Sequence, residues 1–581
     1  MSTQTTNSPL KYQITTENPQ QRFVKIRAEF PVKDKITTVK LPAWRPGRYE
    51  LGNFAKNVKG FRVLDANSKE LTYRKTNKDT WEITSENTDS ITVEYLYFAN
   101  ELNAGSTYFD EQQLYVNPVN CMVYVPELLN NPIELKLEIN ADWKIACGLK
   151  LENNVLFAKD FDELADSPFI CSSQLESAAY EVQGYKFYIW FNGISNIPWE
   201  RVVEDFQKFT KKQIEHFGHF PTPEFHFLIH ALPYTAYHGV EHLTTTVITL
   251  GPSHQVFNDL YKELLGVSSH ELYHVWNVKS IRPTDMLPYN FSQENYSELG
   301  YVYEGVTTYM GDLYLLKSGV FDLANYFLEF NDQLQKHFDN AGRFNYSVAQ
   351  SSFDTWLDGY VPGIPGRKTS IYTEGCLLAF VSDIYIRRAT NNQKGLEDAM
   401  RTLYTDFAQK GIGYDAETYK HILETTAGIS FDALFTNYFY GTEDYEQILN
   451  ECLNYLGLKI AKIPSKSYAE SKLGMKFLPK NGNVVISTIA PESPASSVCS
   501  IGDEILSVNG FKLNNDLDNW LTFSASDTNS LTIIRNGKLQ EITLTANDST
   551  YYPKFEVQLE EQLSEEQKTA LRAWSQFVVN L

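Results

Sequence analysis

Apolar and polar positions alternate along most of the first 180 residues. Val24, Ile26, Ala28 and Phe30 interleave with Lys25, Arg27 and Glu29, and Ile91, Val93, Tyr95 and Tyr97 repeat the pattern, as do Ile133, Leu135, Leu137 and Ile139. A period of two places one set of side chains on one face of a sheet, so these segments read as half-buried strands. Turn clusters such as Arg45-Pro46-Gly47 and Asn130-Asn131-Pro132 separate them. The pattern predicts an antiparallel, sandwich-like β domain over residues 1–180, with a scaffolding role.

Over residues 181–455 the period moves towards 3.6. Helices are predicted over 199–217, 254–277, 301–317, 323–337, 372–388 and 397–409. Two short apolar runs, 225–230 and, after a loop, 244–250, precede the second helix and read as strands, so this region is a mainly helical α+β domain. From about 456 the texture becomes one of short strands joined by Gly, Pro and Asn turns, predicting a third domain over 456–548. The last stretch, 549–581, reads as a tail with a short helix opened by the capping box Ser564-Glu565-Glu566-Gln567. The fold class is therefore multidomain α+β, as 581 residues are too many for one core.

Aromatic residues make up 14% of the chain, which argues for large cores or lined clefts and against disorder. A formal net charge of −21 repels phosphate backbones and anionic lipids, so neither nucleic acid nor a membrane is an expected partner. Six scattered cysteines with no C-x-x-C pair predict neither a disulfide framework nor a thiolate metal site. With no apolar run long enough to span a bilayer and no leader-like N-terminus, the chain reads as cytoplasmic, although a removed leader would read the same.

The chemistry concentrates at His270-Glu271-Leu272-Tyr273-His274, an H-E-x-x-H sequence. On a helix, residues four apart share a face, so His270 and His274 can offer their imidazoles to one metal ion, with Glu271 placed to act as a base towards water. A catalytic zinc takes three protein ligands. Glu304, in Tyr303-Glu304-Gly305-Val306-Thr307-Thr308-Tyr309, is the best third candidate; the alternative is a solvated carboxylate in a first helical turn.

These two segments together, HELYHVWNVKSIRP and YEGVTTYMGDLYL, resemble the glycyl aminopeptidase family, gluzincin metallopeptidases with a thermolysin-like catalytic domain and a C-terminal PDZ domain. Tyr237-His238-Gly239-Val240-Glu241-His242 is similar to that family's G-G-x-E-H segment. Ser351-Ser352-Phe353-Asp354-Thr355-Trp356 and Ser370-Ile371-Tyr372-Thr373-Glu374-Gly375 are similar to its S-S-F-D-x-W and Y-x-K-G segments. The resemblance implies a Zn2+-dependent aminopeptidase acting on peptides with a free N-terminal Gly or Ala. His270, His274 and Glu304 would hold zinc, Glu271 would be the general base, Tyr372 the oxyanion donor and Glu241 the amine anchor. His238, Gly239 and His242 would contact substrate. Two departures bear on specificity: His238 replaces a glycine, and Glu374 stands where the family has lysine.

Leu473-Gly474-Met475 resembles the PDZ carboxylate-binding loop, which implies a C-terminal peptide as a further ligand. The competing readings are a metalloendopeptidase or other amide hydrolase, and a PDZ adaptor with an inactive peptidase domain. A homo-oligomer is compatible with all of them.

Overall fold

The computed structural model describes residues 8–361, 363–524 and 526–576. Its first layer is a seven-stranded sheet in the order Lys150–Glu152, Val155–Ala158, Ile133–Glu138, Leu10–Thr16, Phe23–Pro31, Ser90–Phe98, Val58–Asp65. Along Phe23–Pro31 every second residue is buried, as the alternating sequence requires. The sheet is not purely antiparallel. Leu10–Thr16 runs parallel to Ile133–Glu138, with Leu10 opposite Ile133. More than a hundred residues separate the two strands in sequence, enough for the crossover that parallel pairing needs. A four-stranded and a three-stranded sheet complete this N-terminal β-sheet domain.

A five-stranded sheet follows in the order Glu176–Val182, Tyr185–Asn192, Glu224–Ala231, Thr245–Gly251, Ala236–Glu241. The division expected at residue 180 falls inside its first strand, which pairs with Tyr185–Asn192 (Glu176 opposite Phe191), so the change of layer comes before Glu176. Residues 236–241, a loop by hydrophobic pattern although similar to a family segment on a strand edge, form the edge strand, antiparallel to Thr245–Gly251 with Glu241 opposite Thr246.

Helices pack on this sheet. Trp199–Phe217 covers one face. The motif helix is Tyr261–Tyr273, shorter than predicted at both ends: Ser253–Gln255 is a 3-10 helix, residues 256–260 around Asn258 and Asp259 form turns, and so do residues 274–277. Tyr301–Val306 is a π-helical turn leading into the helix Thr307–Lys317. The wall helix is Leu323–Asp339 and the tyrosine helix Ile371–Ala389. Buried residues from Leu10 to Trp574 form one continuous apolar core, so the β-sheet domain and the helical region are packed as one body.

The C-terminal module has its own core, built from residues such as Leu473, Met475, Ile505, Leu521 and Ile533 around a five-strand path from Met475–Lys480 to Lys538–Thr545. It is not simply appended to the chain. Leu458–Ile463 leads out to it and pairs antiparallel with Lys554–Leu559, which leads back. Residues 554–575, expected as tail, therefore belong to the main body. The helix Glu565–Ser575 has the predicted capping box and buries Trp574, whose Nε1 donates to the Tyr309 hydroxyl at 2.8 Å. Among the described residues no helix is long and apolar enough to cross a membrane.

Candidate active site

The motif helix, the π turn, the tyrosine helix and the edge strand converge on a cleft of about 1040 Å³. Two close backbone approaches make the convergence possible. A Cβ on Gly305 would lie 2.3 Å from the Gly375 Cα, so only glycines let the π turn and the tyrosine helix cross at this distance. That crossing puts Glu304 and Tyr372 in one cavity. Likewise a Cβ on Gly239 would sit 2.0 Å from Glu271 Oε1, so the bare backbone of the edge strand leaves room for that carboxylate.

His270 Nε2 and His274 Nε2 are 3.0 Å apart, and Glu304 Oε2 lies 3.4 Å from the second and 3.8 Å from the first. A tetrahedral ion with bonds of about 2.0–2.1 Å needs ligand atoms roughly 3.3 Å apart, so the triangle fits such an ion. The second half of the test concerns tautomers. His274 Nδ1 lies 2.7 Å from the Asn277 carbonyl oxygen; donating its proton there leaves Nε2 with a lone pair directed at the cavity. Asn277 is fixed in turn by bonds from its Nδ2 to the Val302 carbonyl and Thr307 Oγ1. Glu241, Glu271 and His274 also lie close enough to share an ion. That set offers a single imidazole, whereas two imidazoles and one carboxylate suit zinc better.

Electrostatics point the same way. Burial, then the Glu241 and Glu304 carboxylates, push Glu271 well above the ordinary carboxylate range. Burial also raises Glu304, despite the neighbouring His274. Burial and then His274 hold His270 well below its usual value. Burial disfavours protonation of His274 too, but Glu241 and Glu304 overcome it and push the imidazole up to about 10, so its Nε2 holds a proton that a bound cation would displace to use the lone pair. Three carboxylates around two imidazoles make a pocket short of positive charge, which a divalent cation would supply. Tyr372 is raised well above 10 by burial and then by Glu304 and Tyr360, so its hydroxyl stays protonated and remains a donor.

Glu241 is buried beside the metal-fitting triangle and its Oε1 has no hydrogen-bond partner. The N-terminal domain reaches it. Gly47, at φ +82°, packs so closely that a Cβ would meet Glu241 Oε2 at 2.5 Å. Tyr49 lies 5.3 Å, ring to ring, from Tyr303, and its backbone N–H donates to the Tyr360 hydroxyl at 3.2 Å. This segment is therefore part of the cleft wall and more than a scaffold. Trp44 holds it in place, wedged against Trp356 and Tyr289.

His238 and Gly239 line the cleft, and His238 is pushed down to about 3 by burial and then by Arg45 and Arg48, so its ring is neutral. His242 does not line it. Its Nδ1 lies 3.0 Å from Asp166 Oδ1, in a buried node where Lys279 Nζ meets the same oxygen at 2.7 Å. His242 follows the last residue of the edge strand, where the chain turns away from the cleft towards Asp166. Glu374 lines the cleft, and its carboxyl group is held by His337, whose Nδ1 lies 2.8 Å from Oε2. Leu473, Gly474 and Met475 lie elsewhere, in the C-terminal module. Leu473 and Met475 are core residues there, and the Gly474 N–H is already bonded to the Glu470 carbonyl, so this loop is not an open anion nest at that position.

Tyr360, Tyr49 and Gly47 escaped the sequence reading. Their signal was present in the crowding of Trp44, Arg45, Arg48 and Tyr49 into what otherwise reads as a turn.

A buried triangle of two imidazoles and a carboxylate, with an acid-base carboxylate beside it in a deep cleft, defines the chain as a metallopeptidase. A model of the Peptidase M61 N-terminal domain matches residues 11–173, and one of the M61 glycyl aminopeptidase matches residues 263–378. Over these two regions the chain matches the M61 peptidases. No curated protein sequence matches it. Among solved structures it is similar to an aminopeptidase N family protein from Idiomarina loihiensis, with a TM-score of 0.90 at 24% identity over 97% of this chain and 99% of that one. A mutant M1 zinc metallopeptidase from Deinococcus radiodurans, bound to a Tyr-Ser-Ala substrate, aligns with a TM-score of 0.47 at 11% identity, over 75% of this chain and 94% of that one.

Proposed function

We propose that the protein is a zinc aminopeptidase that removes small N-terminal residues, glycine or alanine, from peptides with a free amino group. The observation that carries this reading is the placement of Glu241, a buried carboxylate with an unpartnered oxygen, in the same cleft as His270, Glu271, His274 and Glu304. His270, His274 and Glu304 would hold the ion. Zinc bound there would polarise the scissile carbonyl and lower the pKa of a water to about 7.

The remaining work belongs to the chain's own groups. Glu241 pairs with the substrate's ammonium and so sets the first peptide bond, and no later one, at the reacting position. Glu271, raised by its surroundings and 3.4 Å from Thr246 Oγ1, takes the proton of the attacking water and delivers it to the leaving amine. Tyr372 donates to the developing oxyanion, a contact worth on the order of 3 kcal/mol by analogy with oxyanion-hole deletions. Gly47 and His238 bound the end of the cleft at Glu241, and this crowding supports a preference for small first residues. The strand topology and the separate core support reading the C-terminal module as PDZ-like.

Metal analysis together with activity tests the reading. Wild type should carry about one zinc per chain and lose activity to a chelator, and His274→Ala should carry none. Full activity on glycyl peptides in the metal-free protein would refute it.

A further inference from the structure

The catalytic cleft does not end at Tyr372. One face of the wall helix, through Leu328, Asp332, Gln333 and Lys336, lines it at spacings of three and four residues. At the C-terminal end of that helix, Asn340, Ser370 and Tyr372 line both the cleft and a second groove of about 510 Å³. One side of this groove is the segment Ile364–Lys368. The other is the C-terminal module, through Ser487, Thr488, Ile489 and Ile501.

The module is held in register with the cleft. The outer face of the wall helix binds the returning strand: the N–H of Val557 donates to Asn331 Oδ1 at 2.7 Å and that of Phe555 to Gln335 Oε1 at 3.2 Å. Lys476 Nζ meets Asp339 Oδ2 at 2.6 Å. One helix thus lines the cleft on its inner face and anchors the module on its outer face. The two-stranded ribbon tethers the module at both ends, so the groove is a built feature of the fold.

Its chemistry suits a peptide. Ile364 and Ile501 are 73% and 46% exposed, large apolar side chains with no core to fill. Asn483–Ile489 pairs with Met475–Lys480 on one edge, while Glu504–Val508 takes up only Val484 and Val485 on the other. Among the described residues no strand pairs with that second edge at Ser487–Ile489, which leaves it open to an extended chain.

Resting on the aminopeptidase reading above, we infer that this groove is a downstream subsite: it binds an apolar side chain of the peptide substrate about three to five extended residues beyond the scissile bond, with the C-terminal module as one wall. The occupant is the substrate itself, because the groove is continuous with the cleft and shares Tyr372 with it. The module then lengthens the recognised peptide without touching the reacting bond.

The test compares Ile501→Asp and Ile364→Asp with wild type on three substrates: glycyl-p-nitroanilide, a glycine-led hexapeptide with leucine at positions four and five, and its serine counterpart. The expected result is a rise of about tenfold in KM for the leucine hexapeptide alone, with kcat and both other substrates unchanged, as fits one lost apolar contact. An equal change on all three substrates, or none on the leucine peptide, overturns the inference. If wild type does not cleave the anilide, the aminopeptidase reading fails separately. The groove is then judged by anisotropy, with the C-terminally labelled hexapeptides on Glu271→Gln: loss of leucine-peptide binding in Ile501→Asp upholds the subsite, and undiminished binding overturns it.

Discussion

Glu271 and the glycine beside it carry the sharpest expectation at the scale of single residues. Glu271→Gln keeps the shape of the side chain and removes the base, so kcat should fall by about 10²–10⁴, the range ascribed to general acid–base catalysis, with folding and metal content intact. Gly239→Ala should mimic part of this loss from a distance. Its new methyl group needs the space at 2.0 Å that Glu271 Oε1 occupies, so the carboxylate must swing away. A displacement near 1 Å can cost about 10² in rate. Steady-state kinetics with metal analysis would check both: Gly239→Ala should lower kcat by about that factor while binding zinc normally. The approach of the His270 and His274 imidazoles was legible because spacing on a helix fixes geometry. The role of Gly239 was not, since nothing local in the sequence says which side chain a bare strand backbone will face.

Among the elements, the edge strand and the π turn were the hardest to foresee. Residues 236–241 mix Tyr, His and Gly and lack clean alternation, and their strand character comes from pairing with Thr245–Gly251. The π turn at Tyr301–Val306 depends on Gly305 meeting Gly375, some seventy residues away. By contrast Trp199–Phe217 matches its predicted span, because its apolar face and Gly218 terminator are local signals. The Asp166–Lys279–His242 node ties the β-sheet domain to the turn after the edge strand. Burial alone would raise Asp166, but Lys279 and His242 reverse this and hold it well below the usual aspartate range. A depressed folded value adds stability that is fully present above the unfolded aspartate pKa and is lost as pH falls towards the folded one. Asp166→Asn leaves the buried Lys279 unpaired and should cost about 3–5 kcal/mol at neutral pH. Urea unfolding should show that gap narrowing once the pH drops below the ordinary aspartate range.

Over the whole molecule, the chain closes on itself. A loop of the N-terminal domain brings Gly47 to the cleft and packs Tyr49 against Tyr303, and the last helix returns to buttress the helix Thr307–Lys317 through Trp574 and Tyr309, whose hydroxyl donates in turn to Asp383 Oδ2 at 2.6 Å. Trp574→Ala should destabilise the main body by about 3–5 kcal/mol, the usual cost of emptying a buried tryptophan site. Calorimetry should show the fall in the transition of the main core and leave that of the C-terminal module unchanged. The three-part order of β sheet, helical region and small-strand module was legible from changes in hydrophobic period. The return of residues 554–575 was not, because strand pairing across a whole inserted module leaves no trace in local sequence.

Whether Glu241 and the His270–His274–Glu304 triangle work as one exopeptidase site is decided by comparing free with blocked substrates. Alanyl- and glycyl-amide substrates are assayed with free and with acetylated amino groups, in wild type and in Glu241→Gln. Wild type should cleave only the free substrates, acetylation should remove turnover, and Glu241→Gln should lose most activity on the free ones through a raised KM. Cleavage of the acetylated substrates by wild type at a rate near that of the free ones would contradict the exopeptidase reading.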